Sequence, residues 1–150
     1  MLKRSGIIIL LISFFISCST VAGNISSVSD RKDVMKENLE KFSKNYYWKK
    51  FDILSLLIDP DSSSEILEYL HSQLDKQKIA GVDQLNVTYS DDAMKATTEL
   101  DIKYFDVNSL YVKSRVEKYS WEFVPSINAF QVKTVEVTGG SFKTGVLGKY

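Results

Sequence analysis

Apolar side chains recur at two different spacings along this chain, and the change between them separates a helical half from a β-rich half. From Asp30 onward they return at steps of four, three and four residues, at Met35, Leu39, Phe42 and Tyr46. Residues spaced in this way lie on one face of an amphipathic helix. Asp30 is also a suitable N-cap. The pattern predicts a first helix that starts at Asp30 and buries this face.

Two further helices are predicted before the spacing changes. The dense apolar stretch at 53–58 is followed by Pro60 and predicts a short second helix, because proline interrupts helical hydrogen bonding. The sequence SSSE at 62–65 matches a capping box, in which the first and fourth side chains bond each other's backbone amides. We therefore expect a third helix that starts there, runs to about Lys78 and is closed by Gly81.

In the second half, apolar residues alternate with polar ones, as in half-buried strands. Four such segments are separated by turns: 85–89, 98–104, 110–123 and 130–137. In the third segment, Val112 and Val116 lie at even-numbered positions, whereas Tyr119 and Trp121 lie at odd-numbered ones. In a regular strand, the two sets would therefore face opposite sides of the sheet. The fourth segment also changes parity. We expect bulges in both strands, or burial of the third on both faces, and therefore a curved sheet.

Helices followed by an antiparallel meander predict an α+β fold, with the helices packed across one face of a four-stranded sheet. The order of elements, the segments NYYW at 45–48 and FDILSLL at 51–57, and Trp121 in a long strand resemble the NTF2-like superfamily. Within it, the chain resembles small bacterial lipoproteins. The resemblance implies a cone whose mouth hosts a small ligand, a protein partner or, in a few members, catalysis. Another fold of helices on a meander is the alternative.

The N-terminus has the three parts of an export signal. Lys3 and Arg4 precede an apolar run at 6–16, and small residues follow it. The run is too short for a membrane-spanning helix, which needs roughly 20 residues. We therefore expect residues 1–17 to be a signal peptide that is removed during export.

The single cysteine lies where this signal ends, in the sequence FISC at 15–18. These residues resemble a bacterial lipobox, although Phe15 stands where leucine is usual. The resemblance implies that Cys18 is acylated and becomes the first mature residue, and two or three acyl chains anchor a protein durably. Cleavage after Ala22, without lipid, is the alternative. We expect a protein anchored at the outer membrane, on its periplasmic side or at the surface.

Beyond the signal, the sequence predicts a lipidated tether at 18–29, one domain at 30–137 and a flexible tail at 138–150. The chain has 19 basic and 19 acidic residues, so it has no excess of positive charge that would favour binding to nucleic acid. His71 is the single histidine and lacks a second ligand or an oriented nucleophile. We expect no metal, no cofactor and no catalysis.

Four aromatic residues of the predicted sheet are candidates for a pocket or a partner-binding site: Tyr104, Tyr119, Trp121 and Phe123. Large rings on a curved sheet can line a groove, but they also pack ordinary cores. The sequence therefore predicts a non-catalytic domain that binds an envelope protein or a small apolar ligand. The alternative is an isomerase-like or hydrolase-like enzyme that uses a carboxylate buried beside these rings.

Overall fold

The structure is a computed structural model that describes residues 27–108 and 111–138, and the backbone of 146–147. Within these residues, three helices precede five strands. The elements are α1 (Val28–Tyr47), α2 (Phe51–Ser55), α3 (Ser63–Leu74), β1 (Gln77–Tyr89), β2 (Lys95–Asp106), β3 (Lys113–Val124), β4 (Ala129–Thr138) and β5 (Val146–Leu147). The predicted signal peptide, Cys18, most of the predicted tether and most of the predicted C-terminal tail lie outside the described residues.

The first two helices are confirmed, with a small shift at the start of α1. The Ser27 hydroxyl oxygen accepts a hydrogen bond from the backbone N–H of Asp30 at 3.0 Å, so Ser27 is the N-cap. The predicted inner face of α1 is buried: Met35, Leu39, Phe42 and Tyr46. The short second helix is α2, which ends before Pro60 as expected.

The end of the third helix differs from the prediction. α3 ends at Leu74 rather than near Lys78, and Gly81 lies inside β1 instead of closing the helix. The Lys49 ammonium donates to the backbone carbonyls of Leu74 and Gln77, and β1 pairs with β2 from Gln77 onward. Tertiary contacts therefore override the local helical pattern at this point.

The predicted capping box at the start of α3 is also wrong. Ser62 is the N-cap residue, but its side chain makes no capping hydrogen bond. The Ser63 hydroxyl instead donates to the Pro60 carbonyl oxygen at 2.9 Å. The turn that follows Pro60 therefore uses the serine next to the one that the motif assigns to the cap.

The predicted α+β class, with helices on an antiparallel sheet, is confirmed. Each strand pairs antiparallel with its sequence neighbours, in the order β1-β2-β3-β4-β5. The two-residue strand β5, which the sequence did not predict, pairs with Val135 and Glu136 of β4. Bulges interrupt the β1–β2 pairing near Ala80 and Leu85. Because bulges bend strands, these positions add curvature to the sheet.

The expected change of parity holds in β4 but not in β3. In β4 the pairing shifts by one residue at Lys133, so the buried side chains change from Val132 to Val135. In β3, by contrast, alternate residues from Arg115 to Phe123 are all buried, and the pairing with β2 is uninterrupted. The predicted bulge within β3 and the predicted burial on both of its faces are therefore wrong. The prediction rests on apolar residues, whereas the charged residues Arg115 and Glu117 occupy part of the buried row.

The core lies between the sheet and the helices, chiefly α1. The Phe42 ring packs edge to face against Tyr119, with centroids 4.9 Å apart, and against Trp121, at 5.3 Å. The segment after α2 covers the outer edge of β4, because the backbone N–H of Asp59 donates to the Val132 carbonyl oxygen at 2.9 Å. This hydrogen bond occupies part of the edge of β4, with which another strand could otherwise pair.

Candidate functional site

The four aromatic residues singled out in the sequence lie in the core and not on an open groove. Their exposed fractions are 1%, 0%, 1% and 4% for Tyr104, Tyr119, Trp121 and Phe123. The Trp121 indole N–H donates to the Thr98 hydroxyl oxygen at 2.9 Å. α1 covers this face of the sheet, so the rings have no surface left for a partner. Cys18, the predicted lipidation site, lies outside the described residues.

A charged pair continues the buried row of β3 beyond these aromatic residues. The Arg115 Nε donates to Glu117 Oε1 at 2.5 Å, and neither side chain is exposed to solvent. Removing two charges from water is costly unless other groups complete their hydrogen bonds. The surroundings of this pair therefore determine whether it is a structural unit or a site for chemistry.

Three phenols complete the hydrogen bonds of the carboxylate. The Tyr46 hydroxyl donates to Glu117 Oε1 at 3.0 Å and the Tyr69 hydroxyl to the same oxygen at 2.8 Å. The Tyr119 hydroxyl donates to Glu117 Oε2. Both oxygens of the carboxylate are thus engaged by donors from α1, α3 and β3. We call Arg115, Glu117 and these three tyrosines the buried polar cluster.

The guanidinium of Arg115 is also bound on several sides. Its Nη1 donates to Gln77 Oε1 at 2.5 Å and its Nη2 donates to the Tyr46 hydroxyl oxygen at 2.7 Å. The guanidinium carbon lies 4.7 Å from the centroid of the Tyr104 ring, within the range of a cation–π contact. Tyr104, predicted as a pocket residue, thus forms one wall around this charge.

The electrostatics of the cluster favour protonated phenols and a charged guanidinium. Burial raises the pKa of Tyr46, Tyr69 and Tyr119, and the neighbouring Glu117 carboxylate raises it further. Burial by itself would lower the pKa of Arg115, but the Glu117 charge and the nearby phenols outweigh it, so the pKa is raised. Each donor of the cluster therefore keeps its proton near neutral pH.

Tyr69 connects the cluster with the surface. It is half-buried, and it lines a groove of about 330 Å³ together with Glu65, Glu68 and Ser72. Its hydroxyl meanwhile reaches Glu117 in the interior. Any small molecule that contacts Glu117 from this groove would have to displace the Tyr69 ring. As it stands, the cluster offers no open position for a reactant.

The sequence contained a signal for this cluster. Arg115 and Glu117 share the parity of Tyr119, Trp121 and Phe123, so unbroken alternation alone would have placed them in the core. Apolar residues alone do not indicate this, since Val112 and Val116 have the opposite parity and charged residues are seldom fully buried unless paired. Tyr46 was assigned correctly to the inner face of α1, but its bonding partner lies 71 residues away and leaves no local pattern.

The remaining candidates for chemistry are separate from this cluster. His71 is exposed and stacks on the Phe51 ring with centroids 3.7 Å apart. Among the described residues, no group of three or more His, Cys, Asp or Glu side chains is arranged to hold a metal ion. No helix in residues 27–108 or 111–138 is long and apolar enough to cross a bilayer.

The chain matches no protein family and no curated protein. It is similar in structure to a SEC-C motif containing protein from Rhodopseudomonas palustris, with a TM-score of 0.52 and 12% identity over 64% of this chain and 72% of that chain. It is also similar to the intermembrane space region of the chloroplast protein ARC6, with a TM-score of 0.44 and 13% identity over 76% of this chain and 94% of that one. At such identities the first similarity supports the α+β fold alone.

Proposed function

We propose that this chain is an exported, lipid-anchored envelope protein whose domain binds another protein and performs no chemistry. The observation that carries the non-catalytic part of the proposal is the closed state of the buried polar cluster. Both carboxylate oxygens of Glu117 are occupied by donors, and its side chain has no exposed surface. A general base needs an oxygen that can reach a substrate. The cluster is instead suited to holding α1, α3 and the sheet together.

The membrane anchor is the second part of the proposal. It is supported by the short apolar run at 6–16 and by the lipobox-like residues that end at Cys18. We also propose that the domain is NTF2-like, supported by the order of helices and strands and by the bulged sheet. We propose the outer membrane as its location, supported by Ser19 after Cys18, where the chain lacks the aspartate that resembles an inner-membrane retention signal.

Mass spectrometry of the mature N-terminus tests the anchor. We expect a chain that begins with a lipidated Cys18, and a Cys18→Ser variant that is soluble or uncleaved because the attachment atom is lost. An unmodified chain that begins at Gly23 would contradict lipid anchoring. Co-purification of the full chain from native membranes tests binding, and the absence of any stoichiometric partner would contradict it.

A carboxylate-based enzyme is the second candidate, and Glu117 is the observation that favours it. This glutamate is buried and accepts a hydrogen bond from Tyr119, as an acid–base site within an apolar cone would require. Such an enzyme must open the cluster by moving Tyr69, whereas a binding domain keeps it closed. Solvent access to the phenol hydroxyls therefore distinguishes the two functions.

A further inference from the structure

The C-terminal part of α1 carries a concentration of positive charge. Residues 41–50, KFSKNYYWKK, contain four lysines and no acidic residue, in a chain whose charges balance overall. Lys41, Lys44 and Lys50 are exposed, and none of the three forms an ion pair with another described residue. Lys49 is engaged by backbone carbonyls. Three ammonium groups thus remain available to a ligand at this end of the helix.

Two aromatic rings are exposed among these lysines. Trp48 is 62% exposed and Tyr47 is 38% exposed, and their rings meet edge to face with centroids 5.0 Å apart. Lys44 precedes them by three and four residues, so it lies on the same side of the helix. Tyrosine and tryptophan dominate the binding energy of many protein interfaces. We call Lys41, Lys44, Tyr47, Trp48 and Lys50 the basic aromatic surface.

The position of this surface limits what it can meet. The predicted tether at 18–29 includes Ser27, the N-cap of α1, and the helix separates Ser27 from Tyr47 by about 30 Å at ~1.5 Å per residue. Lys49 bonds the backbone of Gln77, which fixes this end of α1 beside the start of β1. In a domain anchored through its N-terminal tether, the basic aromatic surface therefore lies at the end away from the anchor.

We propose that the basic aromatic surface docks an acidic segment of a partner protein, an inference that rests on the proposed binding function. Charge complementarity favours an acidic occupant, since Lys41, Lys44 and Lys50 form no ion pair with another described residue and residues 41–50 contain no carboxylate. The Tyr47 and Trp48 rings supply apolar area for residues between the partner's carboxylates. A location away from the tether favours a protein over the membrane that holds the anchor.

Trp48 fluorescence in the full-length protein provides the test, because Trp121 is buried and should respond little. The probe is a synthetic Glu-Glu-Leu-Leu-Glu-Glu peptide. We expect saturable binding that shifts Trp48 emission to the blue and weakens with added salt. Lys41→Glu/Lys44→Glu should weaken binding by about tenfold or more. The matched control, Lys32→Glu/Lys36→Glu, changes the same charge in the N-terminal half of α1 and should have less than about a twofold effect.

Three outcomes would overturn the inference: no peptide binding, equal weakening by the two charge reversals, or binding to anionic phospholipid vesicles in preference to the peptide. The last outcome would identify a membrane contact instead. The inference can also fail while the proposed binding function stands. If a partner co-purifies with both the wild-type protein and the Lys41→Glu/Lys44→Glu variant, the domain binds a partner but this surface is not the site.

Discussion

The inner face of the sheet has two halves that are held together by different interactions. In one half, Trp121 and Phe123 of β3 pack against Phe42 and Phe130. In the other, the same strand places Arg115 and Glu117 among phenols. Alternation along β3 is unbroken across both. The strand geometry therefore fixes which residues point inward. The side chains of the neighbouring helices determine whether a charged inward residue finds the hydrogen bonds that it needs.

The difference affects how each half tolerates substitution. An apolar half loses packing in proportion to the volume removed, and its neighbours partly relax. A polar half depends on every partner being present, because removing one leaves a buried charge or donor without compensation. We therefore expect larger and more strongly coupled effects in the buried polar cluster than in the aromatic half.

The largest effect is expected for Glu117→Leu. This change leaves the Arg115 guanidinium and three phenol donors buried without their acceptor, so the free energy of unfolding should fall by about 5 kcal/mol, the upper end for broken buried pairs. Urea denaturation measures it. The double variant Arg115→Met/Glu117→Leu should be more stable than Glu117→Leu alone, because it removes the uncompensated charge. Additive losses from the two substitutions would contradict coupling within the cluster.

The aromatic half is tested by Trp121→Ala. Removing this buried ring should lower the free energy of unfolding by about 3 to 5 kcal/mol, as is usual for large-to-small changes in a core. Trp48→Ala is the matched control. Because Trp48 is exposed, this substitution should lower the free energy of unfolding by less than about 0.5 kcal/mol. Thermal melting compares the two. An unchanged melting temperature in Trp121→Ala, with loss of partner binding, would move Trp121 from the core to a functional surface.

The sequence allowed the aromatic half to be predicted and left the polar half unrecognised. Spacing placed Phe42 and Tyr46 on the inner face of α1, and alternation defined the inward side of β2 correctly. The end of α3 could not be predicted, because Lys49 fixes it from outside the helix. Glu117 was missed because its partners come from α1, α3 and β3, and such long-range hydrogen bonds have no local periodicity.

A smaller effect is expected at the edge of the polar half. Tyr69→Phe removes the hydroxyl that donates to Glu117 but keeps the ring. Hydrogen bonds to charged groups contribute about 1.5 to 3 kcal/mol to stability. Because Tyr69 is only half-buried, Tyr69→Phe should lower the free energy of unfolding by an amount near the lower value. Tyr47→Phe is the surface control and should be neutral within about 0.5 kcal/mol. If Tyr69→Phe were equally neutral, Tyr69 would not belong to the cluster energetically.

The phenols also predict how stability depends on pH. Burial and the Glu117 charge raise the pKa of Tyr69 in the folded state above the value of about 10 expected in the unfolded chain. Its contribution to stability is therefore complete below about pH 10 and is lost as the pH rises through the folded value. In that range, the free energy of unfolding of the wild-type protein should fall by about 1.4 kcal/mol per pH unit more than that of Tyr69→Phe. Equal slopes in alkaline urea titrations would contradict this linkage.

The central claim is that the buried polar cluster is a closed structural unit and not an active site. Nuclear magnetic resonance of the tyrosine hydroxyl protons at neutral pH tests it most directly. We predict resolved, slowly exchanging hydroxyl signals for Tyr46 and Tyr119, and none for Tyr111, which is 80% exposed. Hydroxyl exchange at Tyr46 and Tyr119 as fast as at Tyr111 would show that the cluster opens to solvent, and would contradict the claim in favour of acid–base chemistry at Glu117.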